Sequence, residues 1–195
     1  MAQIYIYPTD TVWGIGGDIY DPETYIEIAK IKQTPADKPL SLLFNTLEMV
    51  ESHINLSEHE FEILEKLKNL GTTFGFAKSK FKSTLPSEPF KDTEFACIRV
   101  LSSQIIDGII EENDGPISTT SLNITKNPPM VDTDEAHGFW KKYASHTKFY
   151  EPQFDVQLSG KSSTIILFSG NDYSIAREGE NIEDIKKILN TLKND

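Results

Sequence analysis

The chain has 195 residues, 38% of them hydrophobic and 25% charged, with a formal net charge of −11. That balance excludes a disordered chain, and the lack of an apolar run of about 18 residues excludes a membrane-spanning helix. A single cysteine, Cys97, excludes an internal disulfide, and with no basic-then-apolar leader the expectation is a cytoplasmic protein.

The acidic charge opposes sequence-independent nucleic-acid binding, which needs cations against phosphates. The basic residues divide into 17 lysines and only two arginines, Arg99 and Arg177. Where arginine is this scarce, its positions become candidates for planar, two-pronged recognition of an anion.

In chain order, Ile4-Tyr5-Ile6-Tyr7 predicts a strand, closed by Pro8. The stretch Tyr7 to Gly17 then opens into small hydroxyls and glycines. It reads either as a polar strand-to-helix turn or as a ligand loop beyond a strand end. Thr9 and Thr11, two apart, would point the same way in an extended segment, with Asp10 opposite. Asp21-Pro22-Glu23 predicts the start of a helix that runs to about Lys32. Leu40 to Phe44 is a buried strand and Thr46 to His53 a short helix. Ser57 and Glu60 form a capping box for the next helix, which Gly71 stops.

A strand over Thr72 to Lys78 leads to a lysine- and serine-rich surface loop over Ser79 to Glu94. Phe95 to Val100 is a strand. Ser102 or Ser103 caps a helix through Ile110, and Ile117 to Ser121 is again strand-like. After the Asn127-Pro128-Pro129 break, a helix is predicted over Asp132 to Ala144. Strands follow over Phe154–Leu158, Thr164–Phe168 and Tyr173–Ala176, and a final helix ends near Leu192. Interleaved strands and helices with no linker or repeat predict one α/β domain over residues 1–195.

Metal and nucleophile templates fail. His59-Glu60 meets Ile63 where a zincin helix needs histidine, and no Cys/His cluster exists, so no metal site is expected. Cys97, between Ala96 and Ile98, reads as a small buried hydrophobe. What remains is a polar set at strand and helix ends: Thr9, Thr11, Lys32, Arg99, Ser121, Asn123 and Arg177. Hydroxyls, an amide and fixed cations are an inventory suited to a nucleoside triphosphate and a small anion. Each residue also has an ordinary role open to it, as a turn cap or a complement to a helix dipole.

Six motifs in order resemble the YrdC/YciO family. They are Tyr7-Pro-Thr-Asp-Thr-Val-Trp-Gly14, Lys32-x-x-Pro35-x-x-Lys38-Pro39-Leu40, Phe95-Ala-Cys-Ile-Arg-Val100, Ser118-Thr-Thr-Ser-Leu-Asn123, Ser163-Thr-Ile-Ile166 and Ile175-Ala-Arg-Glu-Gly179. The resemblance implies a YrdC-like α/β domain with a twisted mixed sheet, helices and a concave ligand cleft. It implies a nucleotidyltransferase that condenses L-threonine, bicarbonate and ATP into threonylcarbamoyl-adenylate and pyrophosphate, for tRNA threonylcarbamoyladenosine formation. ATP enters as substrate, with Mg²⁺ carried on the nucleotide. tRNA or double-stranded RNA is implied as a further partner, against the acidic charge. The alternative is a YciO-like protein that binds nucleotide or double-stranded RNA without this catalysis.

Carried over by position, Thr9 and Thr11 would line the threonine pocket with Trp13 beside it. Lys32 would face bicarbonate or phosphates, Ser121 and Asn123 would hold phosphates and carbamate, and Arg99, Ser163 and Arg177 would complete the nucleotide site. The chain departs from the family at Lys32-Gln33-Thr34, where the pattern is Lys-x-Arg. A charge-assisted contact is worth about 1.5–3 kcal/mol, so its uncompensated loss corresponds to roughly ten- to a hundred-fold in binding or rate. Trp13 in place of tyrosine and Leu122 in place of alanine also lean toward the YciO branch, while Ser121 and Asn123 lean back toward the enzymes.

Overall fold

The computed structural model describes residues 2–153, 157–170 and 172–192, with backbone only at 88 and 89. Strands β1 (Ile4–Pro8) and β2 (Trp13–Gly17) form an antiparallel hairpin. Helix α1 (Pro22–Lys32) follows, started by the Asp21 carboxylate accepting from the Glu23 N–H at 2.9 Å and stopped by Gln33 at φ 52°. Next come β3 (Ser41–Phe44), α2 (Leu47–His53) and α3 (Glu58–Leu67), the last carrying the predicted Ser57–Glu60 capping box. Beyond β4 (Thr72–Ala77) lie a 3₁₀ turn (Lys78–Lys80) and α4 (Ser87–Phe90). β5 (Phe95–Val100), α5 (Gln104–Asn113), β6 (Ile117–Ser121), α6 (Thr133–Tyr143), β7 (Lys148–Phe149), β8 (Thr164–Ser169), β9 (Asp172–Arg177) and α7 (Ile182–Leu192) complete the chain.

The nine strands make one sheet in the order β7-β1-β2-β6-β3-β5-β4-β8-β9. It is mixed: β1–β7, β3–β5 and β4–β8 pair in parallel and the remaining neighbours antiparallel. The α/β expectation therefore holds. Alternation along the strands gives the two faces different work. Ile4, Ile6, Trp13, Ile15, Leu42, Phe44, Phe74, Ile98 and Ile166 enter the main core, where every helix but α5 contributes apolar side chains. On the other face Tyr5, Tyr7, Leu43 and Ile117 pack with Ile106, Ile109 and Ile110 of α5. That single helix covers one end of the face, and the remainder is open.

Three expectations need correction. The stretch from Tyr7 leads back into a strand, so it is not a strand-to-helix turn, and residues 10–12 at its tip bend and do not run extended. Ser79–Glu94 is not merely a surface loop: it contains α4, and Leu85 and Phe90 are buried, with Phe90 edge-on to Tyr25 at 6.0 Å. The α5 helix starts after Ser103, whose hydroxyl accepts from the Ile106 N–H at 3.2 Å, and it continues past Ile110 to Asn113. The predicted strand Phe154–Leu158 falls largely outside the described residues, and residues 157 and 158 are not in a strand. Among the described residues no helix is long and apolar enough to cross a membrane.

Candidate functional site

The uncovered face forms a cleft of about 530 Å³. Its floor is the outward-pointing row of β5, namely Phe95, Cys97 and Arg99, while Ala96, Ile98 and Val100 of the same strand are buried. Thr73 of β4, Ser41 of β3, Thr119 and Ser121 of β6 and Gly14 of β2 extend the wall. Ser163 and Arg177 close it at the β8–β9 end, and Lys38 and Pro39 reach it from the segment after α1.

The hairpin tip between β1 and β2 is built by one hydroxyl. Thr9 Oγ1 donates to the Val12 carbonyl at 2.6 Å and accepts from the Thr11 and Val12 N–H groups at 3.1 and 3.2 Å. This turn brings the Thr9 and Thr11 hydroxyls to 3.1 Å, in keeping with their two-residue spacing. It also corrects Asp10, which does not point away. Both Asp10 carboxylate oxygens accept from Arg99 Nη2 at 2.9 Å, and Arg99 Nη1 donates to Thr11 Oγ1 at 3.2 Å. Arg99 is 7% exposed, and its Nε is buried without a partner among the described residues. The hairpin tip is thus locked to the end of β5 by an ion pair.

At the opposite end the second arginine forks around a serine. Arg177 Nε and Nη2 donate to the Ser163 carbonyl and hydroxyl, both at 3.0 Å, and the Ser163 and Thr73 hydroxyls are 2.8 Å apart. Cys97 lies on the floor, two residues before Arg99 on β5, and is half-buried where the sequence predicted a buried hydrophobe. Burial pushes its thiol pKa up, and Arg177 opposes that shift. A thiol raised in this way is a poor nucleophile.

The third part is a roofed lysine. Lys32 is 2% exposed. Its ammonium donates to the Ser121 carbonyl, to the Asn123 carbonyl at 3.2 Å and to Asn123 Oδ1 at 2.7 Å. Asn123 in turn accepts from the Ser121 hydroxyl at 2.9 Å and donates from Nδ2 to the Asn127 carbonyl at 2.6 Å. Burial, and then the charge of Lys38, pull the Lys32 amine down to about 7.

Of the residues selected from sequence, Thr9, Thr11, Arg99, Ser121, Ser163 and Arg177 meet in the cleft. Lys32 and Asn123 do not line it; they stand behind Ser121 and hold it. Trp13 does not line it either. One position before cleft-lining Gly14, it points to the helix-covered face and stacks on Phe149 at 5.0 Å. Sequence reasoning missed Asp10 as the partner of Arg99 and did not place Lys38 among the nucleotide-site residues. The signal for Lys38 was its place in the Lys-Pro-Leu run, which by itself marks only the family. Among the described residues no group of three or more His, Cys, Asp or Glu side chains is gathered to hold a metal.

A family model described as Sua5_yciO_yrdC, Telomere recombination, matches residues 1–179. A threonylcarbamoyl-AMP synthase of Moraxella catarrhalis is 23% identical over 151 residues, covering 70% of this chain and 74% of that protein. Among solved structures, Pyrococcus abyssi Sua5 in complex with L-threonine is similar with a TM-score of 0.77 at 22% identity, over 96% of this chain and 54% of its own. Escherichia coli YciO is similar with a TM-score of 0.73 at 19% identity, over 94% of this chain and 87% of its own. The chain spans about half the length of the P. abyssi protein. Both structural likenesses establish the fold.

Proposed function

The chain belongs to the Sua5/YciO/YrdC family, and from that premise we propose that it condenses L-threonine, bicarbonate and ATP into threonylcarbamoyl-adenylate. In this reading the whole of residues 1–195 is one such domain, working in the cytoplasm, and its adenylate serves tRNA threonylcarbamoyladenosine formation. The threonine nitrogen attacks the bicarbonate carbon with loss of water. The resulting carbamate oxygen attacks the α-phosphorus of ATP, and pyrophosphate leaves with the broken phosphoanhydride bond.

The observation that carries the reading is the cleft itself. One open cavity joins paired hydroxyls beside an arginine at the hairpin tip to a second arginine and two hydroxyls at the β8–β9 end. Three anionic reactants repel one another, and fixed cations and dipoles remove that repulsion before reaction. Thr9 and Thr11 would take the amino acid; Arg99, Ser121, Ser163 and Arg177 the nucleotide. Asn123 acts through Ser121. Magnesium fits as an ion carried on phosphate oxygens and water, where it would neutralise charge developing on the leaving pyrophosphate.

The test is pyrophosphate release by the purified chain, which should require L-threonine and bicarbonate together. A second reading has its own observation: Thr34 stands where the family pattern has arginine, and Lys32 is turned out of the cleft. On that reading the chain is a YciO-like nucleotide-binding protein. ATP binding with no threonine- and bicarbonate-dependent release would establish it and remove the catalytic one.

A further inference from the structure

A hydroxyl has one proton, and where that proton goes decides what the group can offer a ligand. At the hairpin end of the cleft three hydroxyls spend theirs inside the protein. Thr9 gives its proton to the Val12 carbonyl at 2.6 Å. With none left on Thr9, the 3.1 Å bond between the two threonine hydroxyls uses the proton of Thr11, which also accepts from Arg99 Nη1. Ser121 gives its proton to Asn123 Oδ1 at 2.9 Å. All three therefore offer a ligand only lone pairs.

Thr119 is the reverse case. It lines the same cleft from β6 and is 8% exposed. Its Oγ1 accepts from the Tyr7 hydroxyl at 2.8 Å. Tyr7 is fully buried, packed with Tyr5, Leu43 and Ile117. Burial sets the direction of this bond. A Tyr7 proton turned away from Thr119 would be left unpaired in an apolar core, whereas the Thr119 proton can turn into the cleft. Among the described residues the Thr119 hydroxyl makes no other hydrogen bond. Two glycines of β2 let the tyrosine reach across to β6: a Cβ at Gly14 would lie 3.1 Å from Tyr7 Cε2, and one at Gly16 3.2 Å from Tyr7 Oη.

We propose that Tyr7 is a positioning residue for amino-acid binding, fixing Thr119 as a hydroxyl donor aimed into the cleft at an anionic oxygen of the amino acid. The inference rests on the reading above that the hairpin end takes the amino acid. Thr119 stands beside that hairpin, and Arg99 is near enough for its charge to act on the Tyr7 hydroxyl. Donor and guanidinium thus occupy one end of the cleft. A group with protons to give, such as an ammonium, suits the lone pairs of Thr11 and Ser121; an oxygen with none suits Thr119.

The experiment compares wild type, Tyr7→Phe, Thr119→Val, Thr119→Ser and the double variant Tyr7→Phe/Thr119→Val. Calorimetry measures binding of L-threonine and, separately, of an ATP analogue with a non-cleavable α–β bridge, with melting temperature followed throughout. Thr119→Val should weaken L-threonine about ten-fold and leave the analogue within roughly two-fold. Thr119→Ser should bind as wild type. Tyr7→Phe should weaken L-threonine roughly three- to ten-fold, and should add nothing in the Thr119→Val background. A merely structural Tyr7 would lower the melting temperature and weaken both ligands alike. Unchanged L-threonine binding by Tyr7→Phe overturns the proposal. So does an equal further loss in the Thr119→Val background, and so does a loss of analogue binding as large as that of L-threonine. If Tyr7→Phe does not fold, Thr119→Val decides: wild-type-like L-threonine binding overturns the proposal, and a loss of about ten-fold that Thr119→Ser recovers sustains it. A wild type that binds no L-threonine refutes the amino-acid reading and the proposal with it. A wild type that binds L-threonine, with Tyr7→Phe unaffected, refutes the proposal alone.

Discussion

Replacing Lys32 by methionine should change how stability depends on pH. Burial, and then the charge of Lys38, bring the Lys32 amine from 10.5 to about 7 in the folded chain, while in the unfolded chain it keeps its ordinary value. Between those values the unfolded state holds a proton that the folded state has shed, so this group makes stability rise as pH rises. Below about pH 7 both states are protonated and above about 10.5 both are neutral, and the slope vanishes. One proton is worth about 1.4 kcal/mol per pH unit, so the full window amounts to at most about 5 kcal/mol. Three carbonyl oxygens around the ammonium pull the other way, because they favour the charged form. The expected rise is therefore about 2–3.5 kcal/mol between pH 7 and 10, relative to Lys32→Met. Urea denaturation of both proteins at whole pH units measures it as a difference. The buried tyrosines Tyr7 and Tyr25, pushed up by burial, stay neutral across the window. Curves that run parallel within about 0.5 kcal/mol from pH 7 to 10 would refute a depressed lysine.

Two further perturbations test the packing that shapes the cleft. A Cβ at Gly16 would stand 1.7 Å from the Ser118 carbonyl oxygen, so Gly16→Ala should cost about 3 kcal/mol or more by chemical denaturation. Gly108, in α5, has nothing within 4 Å of the place a Cβ would take and gives the control: Gly108→Ala should stabilise by roughly 0.5–1 kcal/mol. Asp10→Ala leaves the Arg99 guanidinium without its carboxylate. With the Asp10 side chain 33% exposed, the loss should be about 1–3 kcal/mol in the same assay, and smaller for Asp10→Asn, which keeps one acceptor.

Much of the fold was legible because it rests on local signals. The Ser57–Glu60 capping box, the Asp21-Pro22 start and the apolar runs at β5 and β8 each declare an element within a few residues. What was not legible is short or non-local. β7 has two residues and α4 has four, too few to show any period. Both exist because of distant partners: Lys148 and Phe149 lie against Tyr5 and Ile6, and Phe90 lies against Tyr25.

The site divides along the same line, and the hairpin tip shows why. Parity along an extended chain correctly pairs Thr9 with Thr11 but sends Asp10 the wrong way, because the Thr9 hydroxyl bends the backbone between them. Parity is right for Trp13 and Gly14, which do face opposite sides, yet a motif read as a string does not say which side is the cleft. The glycines suggest close approach of a ligand. Gly14 does line the cleft, but Gly16 is there to admit the Ser118 carbonyl of the neighbouring strand. Lys32 is the extreme case. A lysine in the last turn of a helix ordinarily complements the dipole in solvent, and only a segment about ninety positions later, folding over it, turns that lysine into a buried support. Lys38, six residues further on and past the proline turn, lines the open cavity instead, together with Arg99 and Arg177.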